Sequence, residues 1–522
     1  MLPEGSLYVQ RMRVQCFAIL LAHFSMIRAL SGWYTQPSVE TALPQHRDHG
    51  VQSSSARGQF ARDKVNICET TKGVNSYSGY IDLDEHSHLF FWFFEARQSP
   101  KTAPITLWLN GGPGSDSLLG LFTDLTAQEI GPCTVNPDLT TSLNPFSWSE
   151  TSNLLFLSQP LGVGFSYGTK GEGTFDGSNT TTVDTSQLAA RTAWHAVQAF
   201  LAELPQMSPK IRARDFNLWT ESYGGHYGPV FLRHFSTENE LIKTGSKKGY
   251  PNFTANNTYG IQPLDDQVVA YMKFASSMYN GCRDQVYGCR QAYSSDEASI
   301  ETRALCSRAA NMCRDNVEGP YYEYSDRSMY DIRKSSQDPA YTDFFIKYLN
   351  LPSTQEALGV KLLSKYEPSS NEVYSAFQLS GDYVYPGYID DLAFLLDKGV
   401  RVVLSYGDAD YIGNWFGGEA VSLALNYSYA PFFRSTSYVR LTVDGTDHGI
   451  IREYGNFSFV VVYDAGHMVP TDKPDVALEI FRRSISGLDI ATGLEPISNQ
   501  PTVPLTPDEP FASTTPESAA RT

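Results

Sequence analysis

Three side chains far apart in the chain have the types needed for covalent acyl transfer. They are a serine in "LWTESYGGHYGP" (Ser222), an aspartate in "YGDAD" (Asp410) and a histidine in "YDAGH" (His467). Serine is a weak nucleophile until an imidazole takes its proton, and a carboxylate must fix the imidazole tautomer and stabilise its charged form. Ser222 follows the apolar run "DFNLW" and precedes a helical stretch through Val230 and Phe235. A sharp strand-to-helix turn there would expose the hydroxyl and aim a helix N-terminus at the developing charge. Asp408 competes with Asp410 for the carboxylate role, and Thr220 stands where the turn motif G-x-S-x-G begins with glycine. Glu221, directly before the nucleophile, is chemically odd, because a carboxylate repels a developing oxyanion.

Elements able to position these groups are readable around them. "HLFFWFFEA", "ITLWLN", "NLLFLSQP", "DFNLWT", "VRVVLSYGD" and "SFVVVYDAGH" read as strands, several apolar enough to be buried on both faces. Between the third and fourth, Leu188, Thr192, Ala196, Phe200 and Leu204 recur at helical spacing, with Asp184 as an N-cap and Pro205 as a stop. Strands alternating with helices predict an α/β sheet. Asp410 and His467 lie just past strand ends, and the chain order Ser, Asp, His is that of α/β-hydrolases. Residues 250–350 break the rhythm and hold four cysteines, which predicts an inserted cap.

The 522 residues are 41% apolar and 13% aromatic, enough to bury a large core, and a net charge of -17 disfavours nucleic-acid and anionic-membrane partners. Arg11 and Arg13 precede the apolar run "VQCFAILLAHFSMI", with small residues Ala29 and Ser31 spaced like a signal-peptidase site. Residues 1–31 therefore read as a removed signal, with a buried helix or signal anchor as the alternatives. Six cysteines then remain (68, 133, 282, 289, 306 and 313), an even set suited to disulfides. The seven-residue steps are wider than usual zinc-ligand spacings, so no metal is expected. Sequons at Asn179, Asn252, Asn256, Asn426 and Asn456 add to a secretory reading. Residues 32–64 form a polar leader. From residue 494 onward the Pro/Ser/Thr-rich end predicts a disordered tail.

Taken together, "WLNGGPGS" (Trp108 to Ser115), "NPFSWSETSNLLFLSQPLGVGFSY", "ESYGGHYGP", "YGDADYIGNW" and "AGHMVP" resemble the serine carboxypeptidase family, closest in pattern to its secreted fungal members. The resemblance implies an α/β-hydrolase mixed sheet flanked by helices, with a disulfide-containing cap (250–350) between core segments 65–249 and 351–493. It implies Ser222 as nucleophile, His467 as general base and acid, and Asp410 rather than Asp408 as its partner. It places the backbone N–H groups of Gly112 and Tyr223 in the oxyanion hole, and Asn110, Gly111, Glu129 and Glu221 around the terminal carboxylate of a peptide. Ile412 and Met468 are implied to line the leaving-residue pocket. The cap cysteines resemble nested pairs, Cys282 with Cys313 and Cys289 with Cys306, which leaves Cys68 with Cys133. No cofactor is implied.

Three departures from the family pattern carry expectations of their own. "TDLTA", Thr123 to Ala127, is inserted within the loop that should carry Glu129, which leaves the placement of that second carboxylate open. Gly413 stands where the family usually has cysteine, which removes a thiol near the site. After "KTGSKKGY" the chain passes straight to "PNFTANNTYGIQ", so roughly one core strand is missing. An absent central strand leaves the ladder groups of its neighbours unpaired. The expected function is a secreted or vacuolar, acid-favouring serine carboxypeptidase acting on peptides with a free C-terminus. A related acyltransferase and a catalytically impaired pseudoenzyme are the alternatives.

Overall fold

Strand labels follow chain order: β1 (Arg13–Ala18), β2 (Phe60–Val65), β3 (Ser76–Asp82), β4 (Ser87–Phe94), β5 (Ile105–Leu109), β6 (Cys133–Val135), β7 (Thr141–Leu143), β8 (Asn153–Leu157), β9 (Tyr167–Gly168), β10 (Asp215–Thr220), β11 (Val402–Gly407), β12 (Val439–Val443), β13 (Thr446–Tyr454) and β14 (Phe457–Val462). The structure is a computed structural model that describes residues 13–18, 60–83, 87–122, 129–168, 183–213, 215–239, 257–295, 299–338, 342–360, 365–384 and 387–497. Each of the six apolar runs singled out in the sequence contributes a strand: β4, β5, β8, β10, β11 and β14.

One sheet runs in the order β12-β13-β14-β11-β1-β10-β5-β8-β4-β3-β2, with β9 pairing β4. The stretch from β14 to β8 is parallel, and antiparallel strands flank it on both sides. Alternation along the strands explains its two cores. On β11, Val402, Leu404 and Tyr406 join one cluster and Val403 the other; on β10, Phe216 and Leu218 oppose Trp219. The first core is closed by the helices Ser186–Met207, Gly224–Asn239 and Tyr388–Asp397. The second is built around Trp148, which stacks on Phe481 at 4.2 Å and meets Trp219 at 4.7 Å. Each fully buried side chain of this size contributes about 1.5–3 kcal/mol.

The slot next to β10 is filled from an unexpected place. β1 pairs in parallel with β10 along its whole length, Arg13 opposite Asp215 through Ala18 opposite Thr220, and its other edge pairs with β11 at Cys16 and Phe17. The missing core strand is thus supplied by the N-terminal apolar run that also reads as a signal. Cleavage after a leader of 31 residues would empty the slot, so one segment cannot serve both ends in the same molecule.

Other expectations shift by small amounts. Thr185, not Asp184, caps the long helix: its hydroxyl accepts the Leu188 N–H, while Asp184 pairs with Arg303 at 2.9 Å. Pro205 does not stop that helix, which continues to Met207, because a proline this near the end forfeits one intrahelical bond only. The end of the expected leader forms edge strand β2, and the start of the expected tail is tied down by Asp489, which accepts the N–H groups of Leu494 and Glu495. Within the cap, Cys282–Cys313 and Cys289–Cys306 staple the helices Cys282–Ser295 and Ile300–Cys313, while Cys68–Cys133 ties the segment before β3 to β6. No helix among the described residues is long and apolar enough to cross a membrane.

Candidate active site

The turn after β10 is built to present Ser222. The residue sits at φ 61°, a left-handed conformation that is strained for a side chain with Cβ and that clusters at functional sites. The turn closes by Gly224 N–H to the Glu221 carbonyl at 2.8 Å and Gly225 N–H to the Ser222 carbonyl at 2.9 Å. Thr220 fits where the motif has glycine, because its hydroxyl donates to the Gly224 carbonyl at 2.7 Å; Gly224 is the glycine that space demands, since a Cβ there would lie 2.6 Å from Thr220 Cβ.

The loop after β5 lies against this turn. A Cβ on Gly111 would stand 2.3 Å from the Tyr223 backbone nitrogen, so only glycine allows the approach, and Gly112 sits at φ 106°. Tyr223 is anchored through its hydroxyl, which donates to Asp382 at 2.6 Å; Asp382 also accepts from Tyr388 and from the N-terminus of the helix beginning at Ser186. Asp382 was not singled out in the sequence. A buried aspartate in "SGDYVY" carries no local signal, as two of its three partners, Tyr223 and Ser186, come from distant segments.

Asp410 and His467 meet at the ends of β11 and β14. His467 Nδ1 lies 2.7 Å from Asp410 Oδ2, and both residues are buried. Asp410 Oδ1 accepts the Gly413 N–H at 3.0 Å, so Gly413 fixes this carboxylate through its backbone. Asp408 is occupied elsewhere, accepting from the Tyr259 hydroxyl, and burial pushes its pKa up to about 6. Geometry therefore pairs the histidine with Asp410. Burial alone would lower the His467 pKa, but the charges of Asp410 and Glu221 and the Asp410 hydrogen bond raise it above its ordinary value.

Glu221 and Glu129 form a buried carboxyl pair beside the nucleophile. Burial, and then the like charge and hydrogen bond of Glu221, hold Glu129 well above the usual carboxylate range. Glu221 is pushed up to about 7 by burial, against the pull of His467. Glu129 lies against Glu221 despite the insertion; residues 123–128 lie outside the described residues, and the chain is refastened immediately after them. Asn144 Nδ2 donates to the carbonyls of Glu129 and Gly131 at 2.9 Å, and Ile130 N–H reaches the Gly120 carbonyl at 3.2 Å. Asn110 completes the group. Its Oδ1 accepts from Trp108 Nε1 at 2.7 Å and Gly120 N–H at 2.9 Å, which fixes the amide so that Nδ2 donates to Glu221 at 3.1 Å.

Ile412 is buried beside Asp410 and Met468 is half-buried beside His467. Tyr330, whose ring lies 5.4 Å from the His467 ring, was missed because it falls in the stretch assigned to the cap. Among the sequons, Asn426 is exposed; Asn179, Asn252 and Asn256 lie outside the described residues. Asn456 spends its amide hydrogens on the Leu396 and Val400 carbonyls at 2.9 and 2.7 Å, bonds that a glycan would disrupt.

Comparison with known proteins gives this geometry its context. Residues 67–487 match the profile of the family described as serine carboxypeptidase. Carboxypeptidase S1 homolog B of Arthroderma otae is 38% identical over 503 residues, spanning 82% of this chain and 75% of that protein. Carboxypeptidase S1 of Penicillium janthinellum is 36% identical over 450 residues, spanning 82% of this chain and 98% of its own length. A prohormone-processing carboxypeptidase from Saccharomyces cerevisiae shares the fold, with a TM-score of 0.57 and 23% identity over 82% of this chain and 96% of that one. The family match covers most of the chain and both curated relatives exceed a third of identical positions, so the chain belongs to the serine carboxypeptidase family and is a serine-type carboxypeptidase.

Proposed function

We propose that Ser222 attacks the last peptide bond of a substrate while His467, oriented by Asp410, takes the hydroxyl proton and then passes it to the departing amine. The acyl group stays on Ser222 Oγ as an ester. Water, deprotonated by the same imidazole, attacks that ester and regenerates the hydroxyl. The backbone N–H groups of Gly112 and Tyr223 stabilise the oxyanion, each such donor being worth about 2.7–4 kcal/mol. Gly111 brings the two segments close enough for both donors to converge.

The buried pair Glu129–Glu221 is the observation that carries the exopeptidase reading. Two close buried carboxyls share a proton, so a neutral acid is available to donate to the terminal carboxylate of a peptide, together with the second Asn110 N–H and the Gly111 backbone N–H. The sign of the pH dependence follows. The clamp is protonated below about 7 and fails as pH rises through that value. Protonating Glu221 also removes one of the charges that favour the imidazolium, so the acidic form of the clamp helps His467 remain a neutral base. Ile412 and Met468 line the pocket for the leaving residue, and adaptable methionine favours apolar side chains.

The natural substrates on this reading are peptides or proteins with a free C-terminus, met in a secreted or vacuolar compartment. The three disulfides and the exposed Asn426 sequon support that location. The filled slot beside β10 argues against the pseudoenzyme alternative. The test compares kcat/KM for a peptide with a free C-terminus and its C-terminal amide from acid to neutral pH. The free peptide is expected to be favoured in acid, with the preference lost through about pH 7. Identical pH profiles for the two substrates would sink the clamp.

A further inference from the structure

Between the cap helices and the second half of the core, residues 328–334 run directly behind the Asp410–His467 pair. Their backbone bonds to both triad loops at once. The Tyr330 carbonyl accepts the His467 N–H at 2.8 Å. The Met329 carbonyl accepts the N–H groups of Tyr411 and Ile412 at 3.2 and 3.1 Å, and Ile332 N–H donates to the Ala409 carbonyl at 3.0 Å. Contact with the histidine loop is close enough to exclude a methyl group. A Cβ on Gly466 would fall 2.4 Å from the Tyr330 carbonyl oxygen and 3.0 Å from Asp331 Cβ.

Charge fastens this strap. Asp331, only 2% exposed, takes Arg333 Nε and Nη2 at 2.8 and 2.7 Å in a bidentate pair, as well as the Arg333 backbone N–H at 3.0 Å. Arg333 Nη2 also lies 3.6 Å from Asp472 Oδ2, and Lys334 Nζ lies 3.3 Å from Asp472 Oδ1. The same Asp472 Oδ2 accepts the Gly466 N–H at 2.6 Å, one residue before the catalytic histidine. A continuous route therefore runs from Asp331 through Arg333 and Asp472 to the backbone that carries His467, and a parallel one from Asp331 along the strap to the Tyr330 carbonyl.

We propose that Arg333, acting through Asp331 and Asp472, is a positioning residue that holds the His467 loop and the Asp410 loop in register with each other. None of the three touches the reacting atoms. Their effect is geometric, and geometry matters here because a displacement of about 1 Å arising far from the chemistry can lower a rate about 100-fold. Bidentate planarity is what arginine supplies, while lysine keeps the charge that reaches Asp472.

The inference rests on His467 acting as the base, so His467→Ala is measured beside the strap variants. Active sites are titrated with a fluorophosphonate carried to completion, and kcat and KM are then determined per titrated site. Arg333→Gln is expected to lower kcat about 10 to 100-fold with KM within about twofold, and Arg333→Lys, which keeps the charge toward Asp472 but loses the bidentate fork, to recover part of the loss. Unchanged kcat per titrated site in Arg333→Gln, or an equal loss in Arg333→Lys, overturns the inference. Should Arg333→Gln fail to fold, Asp472→Asn decides by the same measurement, since it removes the charge at the Gly466 anchor and keeps an acceptor. If His467→Ala itself turns over normally, it is the triad reading that falls and not the strap alone.

Discussion

The two banks of the cleft solve burial in opposite ways. On the bank formed by the loops after β5 and β10, two carboxyls are pressed together, and burial and like charge act in the same direction to keep a proton on the pair. On the bank formed by the loops after β11 and β14, an aspartate faces a histidine, and burial and opposite charge work against each other. On the function proposed above, equal burial gives a pH-responsive recognition device on one side and a proton-transfer pair on the other. The sign of the neighbour, more than the depth of burial, sets the role.

Breaking the proton-transfer bank should have the larger effect. Asp410→Asn leaves the shape but offers Nδ1 a donor, and kcat is expected to fall about 10⁴-fold with little change in KM, read from steady-state kinetics on a free-ended peptide. Breaking the recognition bank should have a smaller and substrate-selective effect. Glu221→Ala is expected to lower kcat/KM on a free-ended peptide about 10 to 100-fold, the worth of one charge-assisted hydrogen bond, and to flatten its pH profile while sparing the amide. Equal losses on both substrates would mean that Glu221 serves the chemistry and not the clamp. The comparison is sharpened at the small end by Asp408→Asn: it should leave kcat within about twofold and lower stability by about 1 kcal/mol in thermal unfolding, because Asp408 bonds Tyr259 and not the histidine.

Much of the recognition was available in the residues themselves. β5, β8, β11 and β14 are buried along their full length, and runs such as "NLLFL" and "VVLSY" carry that fact in composition alone. Ser222, Asp410 and His467 were legible because each lies directly after such a run. What stayed hidden depends on partners remote in sequence. Glu129 keeps its place because Asn144 and Gly120 hold the chain just beyond the insertion, a constraint no local pattern displays. The choice of Thr185 over Asp184 as cap follows from Arg303 drawing the aspartate away. Tyr330 and Asp331 belong to the catalytic neighbourhood although they sit in a stretch that reads as part of the cap. "RVQCFA" was ambiguous for a physical reason: a central parallel strand and the apolar stretch of a leader have the same composition.

The position of β1 also dictates an order of assembly. Arg13–Ala18 leaves the ribosome well before its two partners, β10 and, later still, β11. A strand made this early must wait without its partner edge until about 200 further residues have followed, and for its second edge until β11, so the sheet cannot be completed progressively from one end. Such non-local parallel pairing slows folding and prolongs the time during which strand edges are exposed to other chains. Yield in a heterologous host should accordingly respond more to synthesis rate and holding chaperones than to substitutions in the triad.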